Sequence, residues 1–398
     1  MDPVRNPFAP GAGSQPPQLA GREDIISQAE ISIKRVAQNR NAQSQILLGL
    51  RGTGKTVLLN KIERLAEEQD CLTSFIEAPE VDTLARMLFP RLQQVLYKLS
   101  LSESAKAKAH NAMRALKSFA GTFKIEWEGV SLSVDPQQGR ADSGNLEYDL
   151  AEVFQDIGDA AKAAGRPWVL LIDEIQYLEK DDWGALIVAL HRAAQRNLPI
   201  LLFGAGLPQV ASLSGNAKSY AERLFSFREI GPLDKTASTL AIASPIEAEG
   251  ETIEQKALNT IYSQTEGYPY FLQEWGFQAW NLAHASPINN NDIIKATQAA
   301  LKRLDEGFFR VRFDRLSPKE RDYVIAMANL GDGPYRSGDV AYALNEAPTR
   351  LGPRRAAIIS KGMIYSPAHG DIAFTVPKFA DFLRRLETSS RLFRSKPR

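Results

Sequence analysis

The stretch Gly49-Leu50-Arg51-Gly52-Thr53-Gly54-Lys55-Thr56 constrains this 398-residue chain more than any other. It fits G-x-x-x-x-G-K-[ST], and its setting agrees. The apolar QILLGL before it has the composition of a strand, and KTVLLNKIERLAEEQ after it has the periodicity of a helix. In such a loop the glycines let backbone N–H groups turn inward around phosphate oxygens. The following helix directs the positive end of its dipole at the same anion. Lys55 is placed to reach β- and γ-phosphates, Thr56 to ligate Mg²⁺, and Val57 to continue the helix's first turn.

A Mg²⁺–nucleotide site needs an acidic partner, and VLLIDE supplies it at a strand end: Asp173 to hold the ion, usually through water, and Glu174 to polarise an attacking water. Asp173 falls 118 residues after Lys55, in the same alternation of strand and helix. No Asn-Lys-x-Asp guanine reader is present, since LDKT at 233–236 is not one, so ATP is expected rather than GTP. LSGNA at 213–217 faintly echoes a transporter signature, but it follows the acidic strand instead of preceding it and is set aside.

The expected fold class is an α/β P-loop NTPase core with a mainly parallel sheet, a helical lid subdomain and a C-terminal winged helix. PWVLLID and PILLFGA are near-continuous apolar runs, as strands buried on both faces require. Residues 1–20, with five prolines, form an extended arm that either hangs free or lies across the nucleotide site. The core spans 21–233, with FKIEWEGVSLSV at 123–134 expected as an inserted β-hairpin. Residues 234–306 show helical patterns only, and 307–398 change character again and end in a basic tail.

Charge is uneven. Residues 301–398 carry 19 Lys and Arg against 11 Asp and Glu, a net of +8, while the remainder is net −7. A basic end on an acidic body points to a polyanion, or to a solvated basic surface. Cys71 is the single cysteine, which excludes an internal disulfide and a cysteine-based metal site, and the four histidines show no zinc-like spacing. No apolar run approaches the roughly 20 residues of a membrane span, and the N-terminus lacks a secretory pattern, so a cytoplasmic protein is expected.

With these pieces in order, roughly residues 18–385 resemble the AAA+/STAND group of P-loop ATPases, and in particular the origin-recognition-like and archaeal-type ATPases. AGRED at 20–24 is similar to the box that opens the first helix there, which implies that Gly21 and Arg22 pack near the adenine. DEIQYL at 173–178 is similar to the group's acidic motif. SYAERLF at 219–225 falls where the group often places an arginine facing a neighbour's γ-phosphate, which makes Arg223 the candidate; pairing with Glu222 or another local acid is the alternative. Gly267-Tyr268-Pro269 resembles the G-x-P at the start of a STAND lid helix, implying that Pro269 reports on adenine or ribose. Two departures stand out. Gly204-Ala205-Gly206 occupies the place of a polar sensor, and no lid arginine is evident. Both favour a slow switch over a motor.

In the C-terminal part, three helical segments precede MIYS and IAFTV, two short strands flanking PAHGD, which is the order of a winged helix. GPRRAAIISKG reads as the third helix, with Pro353 at its start, Arg354 and Arg355 in its first turn and Lys361 near its end, so these three are the candidate duplex-DNA contacts. The alternative is a winged helix that serves as a packing block closing over the nucleotide. The expectation is thus a Mg²⁺-dependent ATPase and nucleotide-controlled switch that binds ATP and ADP. Its output is duplex DNA or, alternatively, a protein partner or a second copy of itself in signalling or defence, with no membrane. The aromatic EGFFRVRFDRLS reads as a core-packed junction.

Overall fold

The computed structural model describes residues 1–11, 13–78, 82–126 and 135–394. They form two compact units: residues 22–49 and 54–230, and residues 1–21, 50–53 and 231–398.

The first unit runs α1 (Glu23–Ala37), β1 (Ser44–Leu48), α2 (Lys55–Glu68), β2 (Leu72–Glu77), α3 (Leu84–Ser100), α4 (Lys106–Thr122), α5 (Leu146–Ala164), β3 (Trp168–Asp173), α6 (Lys180–Gln195), β4 (Ile200–Gly206), α7 (Val210–Ala217), α8 (Ala221–Leu224) and β5 (Phe225–Glu229). All strand pairs are parallel, in the order β2-β3-β4-β1-β5. Side chains alternate between two apolar layers, as a period of two demands. Leu47, Val169, Leu171, Leu201 and Phe203 pack with α1 and α2, while Ile46, Leu48, Leu170, Ile172 and Leu202 pack with α3, α5 and α6. β1, β3 and β4 are therefore buried throughout. In register, Leu48 lies beside Gly206 and Ile172 beside Gly204. The C-terminal ends of β1, β3 and β4 thus share one edge, where open parallel sheets take their ligands.

Local signals account for the helices around this sheet. The Asn145 side chain accepts the Tyr148 N–H at the start of α5, and Gly165, with φ +65°, ends it in the left-handed conformation. Sequence reading passed over α4, although Ala109, Ala112, Met113, Leu116, Phe119 and Ala120 bury one face at helical spacing. Residues 127–134 of the expected hairpin lie outside the described residues, and no strand forms over 123–126.

The second unit holds α9 (Lys235–Ala248), α10 (Gln255–Thr265), α11 (Pro269–Leu282) and α12 (Asn290–Arg303). A π-helical turn, Leu304–Phe309, leads into α13 (Arg310–Asp314). Then come α14 (Pro318–Asn329), β6 (Tyr335–Arg336), α15 (Ser337–Ala343), α16 (Pro348–Ser360), β7 (Ile364–Tyr365), β8 (Asp371–Phe374) and α17 (Phe379–Arg394). From α14 the succession helix, strand, helix, helix, two strands, with antiparallel order β6-β8-β7, is that of a winged helix. One apolar core joins it to the preceding helices. Phe309 stacks on Phe382, 5.5 Å between centroids, so the aromatic junction is core.

Three expectations need correction here. The N-terminal arm contains a 3₁₀ turn, Pro3–Arg5, and it is docked: Phe8 is buried against Gly276 of α11, and the Trp280 indole N–H donates to the Asp2 carbonyl at 2.7 Å. The first four residues of the basic tail, 391–394, end the helix α17, which ahead of them buries Phe382 and Leu383. The third winged-helix segment starts at Pro348, not Pro353. Pro348 occupies the first turn, where its missing N–H costs nothing. Pro353 sits inside the helix, so Arg354 and Arg355 lie in its middle.

Candidate nucleotide-binding site

The phosphate loop leaves β1 at Gly49, whose N–H donates to the Gly206 carbonyl of β4 at 3.0 Å. Gly52 and Gly54 take φ of +87° and +92°, conformations that L side chains rarely adopt. Around Gly54 there is open space, so dihedral angle rather than crowding demands glycine. Gly54 is the N-cap of α2, which places Lys55, Thr56 and Val57 in the first turn, where N–H groups have no intrahelical acceptor. Lys55 is buried, and its Nζ donates to the Gly49 carbonyl at 2.9 Å, so the ammonium is folded over its own loop.

The structure brings Thr56 and Asp173 together. The Thr56 hydroxyl donates to Asp173 Oδ2 at 2.5 Å, and Asp173 Oδ1 accepts the Glu174 N–H at 2.8 Å. Asp173 ends β3 at 4% exposure. Burial raises its pKa, opposed by those two hydrogen bonds and by Lys55. A hydroxyl and a carboxylate oxygen side by side are hard donors that suit Mg²⁺, which keeps water and phosphate oxygens as its other ligands. Among the described residues no group of three or more His, Cys, Asp or Glu gathers as a rival metal site.

Glu174 follows in the left-handed region, φ +49°. Its carboxylate accepts from the Gln176 side-chain amide, whose own oxygen accepts the Leu207 N–H just past β4 at 3.1 Å. Sequence reading did not single out Gln176. Arg22 is the half-buried N-cap of α1, and burial lowers its pKa against the opposing charge of Glu23. Arg223, on α8, is exposed, and its guanidinium pairs with neither Glu222 nor another described acid.

The loop tip, Leu50–Thr53, clusters with the second unit. There the Arg51 N–H donates to the Thr375 carbonyl at 3.2 Å, the Arg51 carbonyl accepts from the Tyr268 hydroxyl, and the Tyr270 N–H donates to the Gly52 carbonyl at 3.2 Å. A Cβ on Gly52 would come within 3.1 Å of both tyrosine side chains. Pro269 is the first residue of α11, as the G-x-P pattern requires, but the groups bonded to the loop tip are its neighbours Tyr268 and Tyr270. Gly21, φ +69°, packs where a Cβ would approach Ala237 to 2.8 Å. A cation that sequence reading did not find is Arg312, which lies over the Phe308 ring at 3.8 Å; burial and then the Arg51 charge lower its pKa to about 10.

The three candidate DNA contacts all have partners within the winged helix. Arg354 makes a two-pronged pair with Glu346 at 2.9 and 3.1 Å, with 13% of its side chain exposed. Arg355 donates to Ser337 Oγ at 2.9 Å. Lys361 pairs with Glu320 at 2.6 Å. Burial pushes the Glu320 carboxyl up, but Lys361 and the Ser317 N–H hold it below the usual range. The exposed cation in the first turn of α16 is Arg350; the signal for it was the Pro348 start.

Residues 18–203 match the AAA ATPase domain family, and residues 306–383 match a domain of unknown function, DUF8462. No curated protein matches the chain. Among solved structures, the chain is similar to the Walker-type ATPase PABY2304 of Pyrococcus abyssi, at 19% identity and a TM-score of 0.56, over 92% of this chain and 96% of that one. It also aligns with the Aeropyrum pernix ORC1 protein solved in complex with DNA, at 14% identity and TM-score 0.47 over 98% of each chain. The Thermotoga maritima RuvB Holliday junction branch migration motor aligns at 17% and 0.44, over 92% of this chain and 95% of that one. Together the fold, the phosphate loop and the family match support an ATP-binding AAA ATPase domain over residues 18–203. Among the described residues no helix is long and apolar enough to cross a membrane.

Proposed function

We propose that this protein is a Mg²⁺-dependent ATPase that hydrolyses ATP slowly and acts as a nucleotide-controlled switch whose output is duplex-DNA binding by the winged helix. The observation that carries the nucleotide part is the Thr56–Asp173 hydrogen bond at the head of the phosphate loop. In this reading the N–H groups of residues 50–57 and the Lys55 ammonium hold the phosphates. Thr56 and Asp173 hold Mg²⁺, which when bound neutralises phosphate charge. Glu174 takes a proton from the water that attacks the γ-phosphorus, leaving ADP and phosphate. Gly21, Arg22 and Pro269 are proposed to line the adenosine, and the exposed Arg223 to serve a neighbouring copy.

DNA binding is supported by the +8 charge of residues 301–398 and by the helix order of the C-terminal part. The intramolecular partners of Arg354, Arg355 and Lys361 favour a second reading, a STAND-like switch acting on a protein partner. ATP turnover by the purified protein, with and without duplex DNA and beside Glu174→Gln, separates them. Turnover that rises with DNA and vanishes in the variant is the expected result. Turnover that depends on Glu174 but ignores DNA overturns the DNA coupling and favours the protein partner. Turnover unaffected by Glu174→Gln overturns the assignment of the base.

A further inference from the structure

The end of β4 offers no polar side chain of its own: its last three residues are Gly204, Ala205 and Gly206. The space those glycines leave is nevertheless filled. A Cβ on Gly204 would meet Ile46 Cδ1 at 2.7 Å and Ile175 Cδ1 at 3.0 Å, and a Cβ on Gly206 would meet Gln176 Oε1 and Val210 Cγ2, each at 2.8 Å. The 3₁₀ turn after β3 (Ile175–Tyr177) thus reaches across to β4 and delivers a carboxamide there.

That carboxamide has one productive orientation. Its neighbours are a carboxylate, which can only accept, and a backbone N–H, which can only donate. The amide nitrogen must face Glu174 and the oxygen must face Leu207, as the structure has them. Glutamate at 176 would set a second carboxylate against Glu174, and methionine would fill the volume with no donor. Glu174 is also held by its backbone: its carbonyl accepts the Tyr177 N–H at 3.0 Å, and its N–H is bonded to Asp173. The Gln176 contact therefore directs the one part of Glu174 left free to turn, its side chain.

We propose that Gln176 is a positioning residue for ATP hydrolysis: its carboxamide holds the Glu174 carboxylate in register with the end of β4, the role left empty by the absent polar side chain on that strand. The inference rests on the reading of Glu174 as the base. Its effect belongs in the chemical step, since Gln176 bonds neither the loop 49–56 nor Asp173.

The test compares wild type, Gln176→Met, Gln176→Glu, Glu174→Gln and the double variant Glu174→Gln/Gln176→Met on the full chain. It uses Mg²⁺-ATP turnover and, separately, equilibrium binding of a fluorescent ATP analogue. Both single changes at 176 should lower kcat by at least about 10-fold while the binding constant stays within about twofold, since a positioning contact acts on the transition state. In the Glu174→Gln background the Met change should have no further effect, because the two residues act as one unit. Wild-type kcat in both 176 variants, or a raised kcat, overturns the proposal. Equal loss of binding and turnover also overturns it, marking a structural role. Undiminished turnover in Glu174→Gln is a different failure, that of the underlying reading.

Discussion

Replacing Gly267 by alanine should cost more than its backbone angle alone predicts. Gly267 takes φ +70° and follows Glu266 at φ +52°, so two of the three residues between α10 and α11 are left-handed. Alanine in that region loses about 1–2 kcal/mol. The added Cβ would fall on the Leu233 carbonyl oxygen, with Leu233 C at 3.0 Å and Ser238 Oγ at 3.1 Å. Two of those three atoms are backbone and cannot swing away, so an overpacking cost of about 1–3 kcal/mol applies. Moving the carbonyl also disturbs the 2.8 Å bond from the Leu233 N–H to the Gly267 oxygen, worth about 1 kcal/mol. A less flexible unfolded chain returns about 0.4–1 kcal/mol. The net loss is about 4 kcal/mol, within a range of about 2–6. Gly250→Ala is the control: φ is +79° there, but nothing stands within 4 Å of the added Cβ. Urea denaturation of both variants should show a Gly267→Ala midpoint well below that of Gly250→Ala, with the m-value unchanged. Equal shifts would refute the argument from close approach and leave only the dihedral term.

Asp173→Asn should raise the melting temperature of the nucleotide-free protein at pH 7 while abolishing Mg²⁺-stimulated turnover, because it removes a charge that burial disfavours. The folded state holds this proton more tightly than the unfolded state, so the Asp173 penalty is absent below the unfolded pKa and develops as pH rises through the folded one. The gain from Asn measured by calorimetry should therefore shrink towards zero in acid, and a gain that grows in acid would contradict the sign. Arg354→Ala should lower the midpoint of thermal unfolding, since it leaves Glu346 without its two-pronged partner, whereas Arg350→Ala should leave that midpoint unchanged and weaken duplex binding by roughly the worth of one phosphate contact, with the salt slope reduced by about 1. Equal duplex affinity in wild type and Arg350→Ala would place any polyanion contact elsewhere.

What the sequence made legible was local in character. The phosphate loop, the buried strands β3 and β4, and the proline starts of α11 and α14 each follow from a few neighbouring residues whose dihedral or hydrogen-bonding needs are strict. The start of α16 was misplaced because two prolines, Pro348 and Pro353, carry the same local signal. Packing decides between them: Leu351 is 4% exposed and Ile358 is fully buried, two turns apart on one face, and a helix that began at Pro353 could not present both. The Tyr268 hydroxyl bond to the Arg51 carbonyl joins residues 217 apart, and no spacing rule reaches that far. The Gln176 link was half visible. DEIQ puts the amide two residues from the carboxylate, but the donor of its second bond, the Leu207 N–H just past a strand brought alongside by the sheet order, is set by topology alone.

The same distinction governs how far net charge can carry the DNA reading. Ion pairing leaves the +8 of residues 301–398 untouched, since each pair removes one charge of either sign. It does move the excess. Arg354, Lys361, Arg384 and Arg385 are each matched to a nearby acid, whereas on α16 Arg350 is exposed and Arg355 is bonded to the neutral Ser337 hydroxyl. An exposed cation at the start of α16, with Arg354 and Arg355 in its middle held by Glu346 and Ser337, suits phosphate neutralisation better than base reading. Duplex binding of that kind falls steeply with salt and varies little with sequence. Affinity that instead discriminated strongly between duplex sequences would require base contacts from α16 that its paired arginine does not provide as it stands.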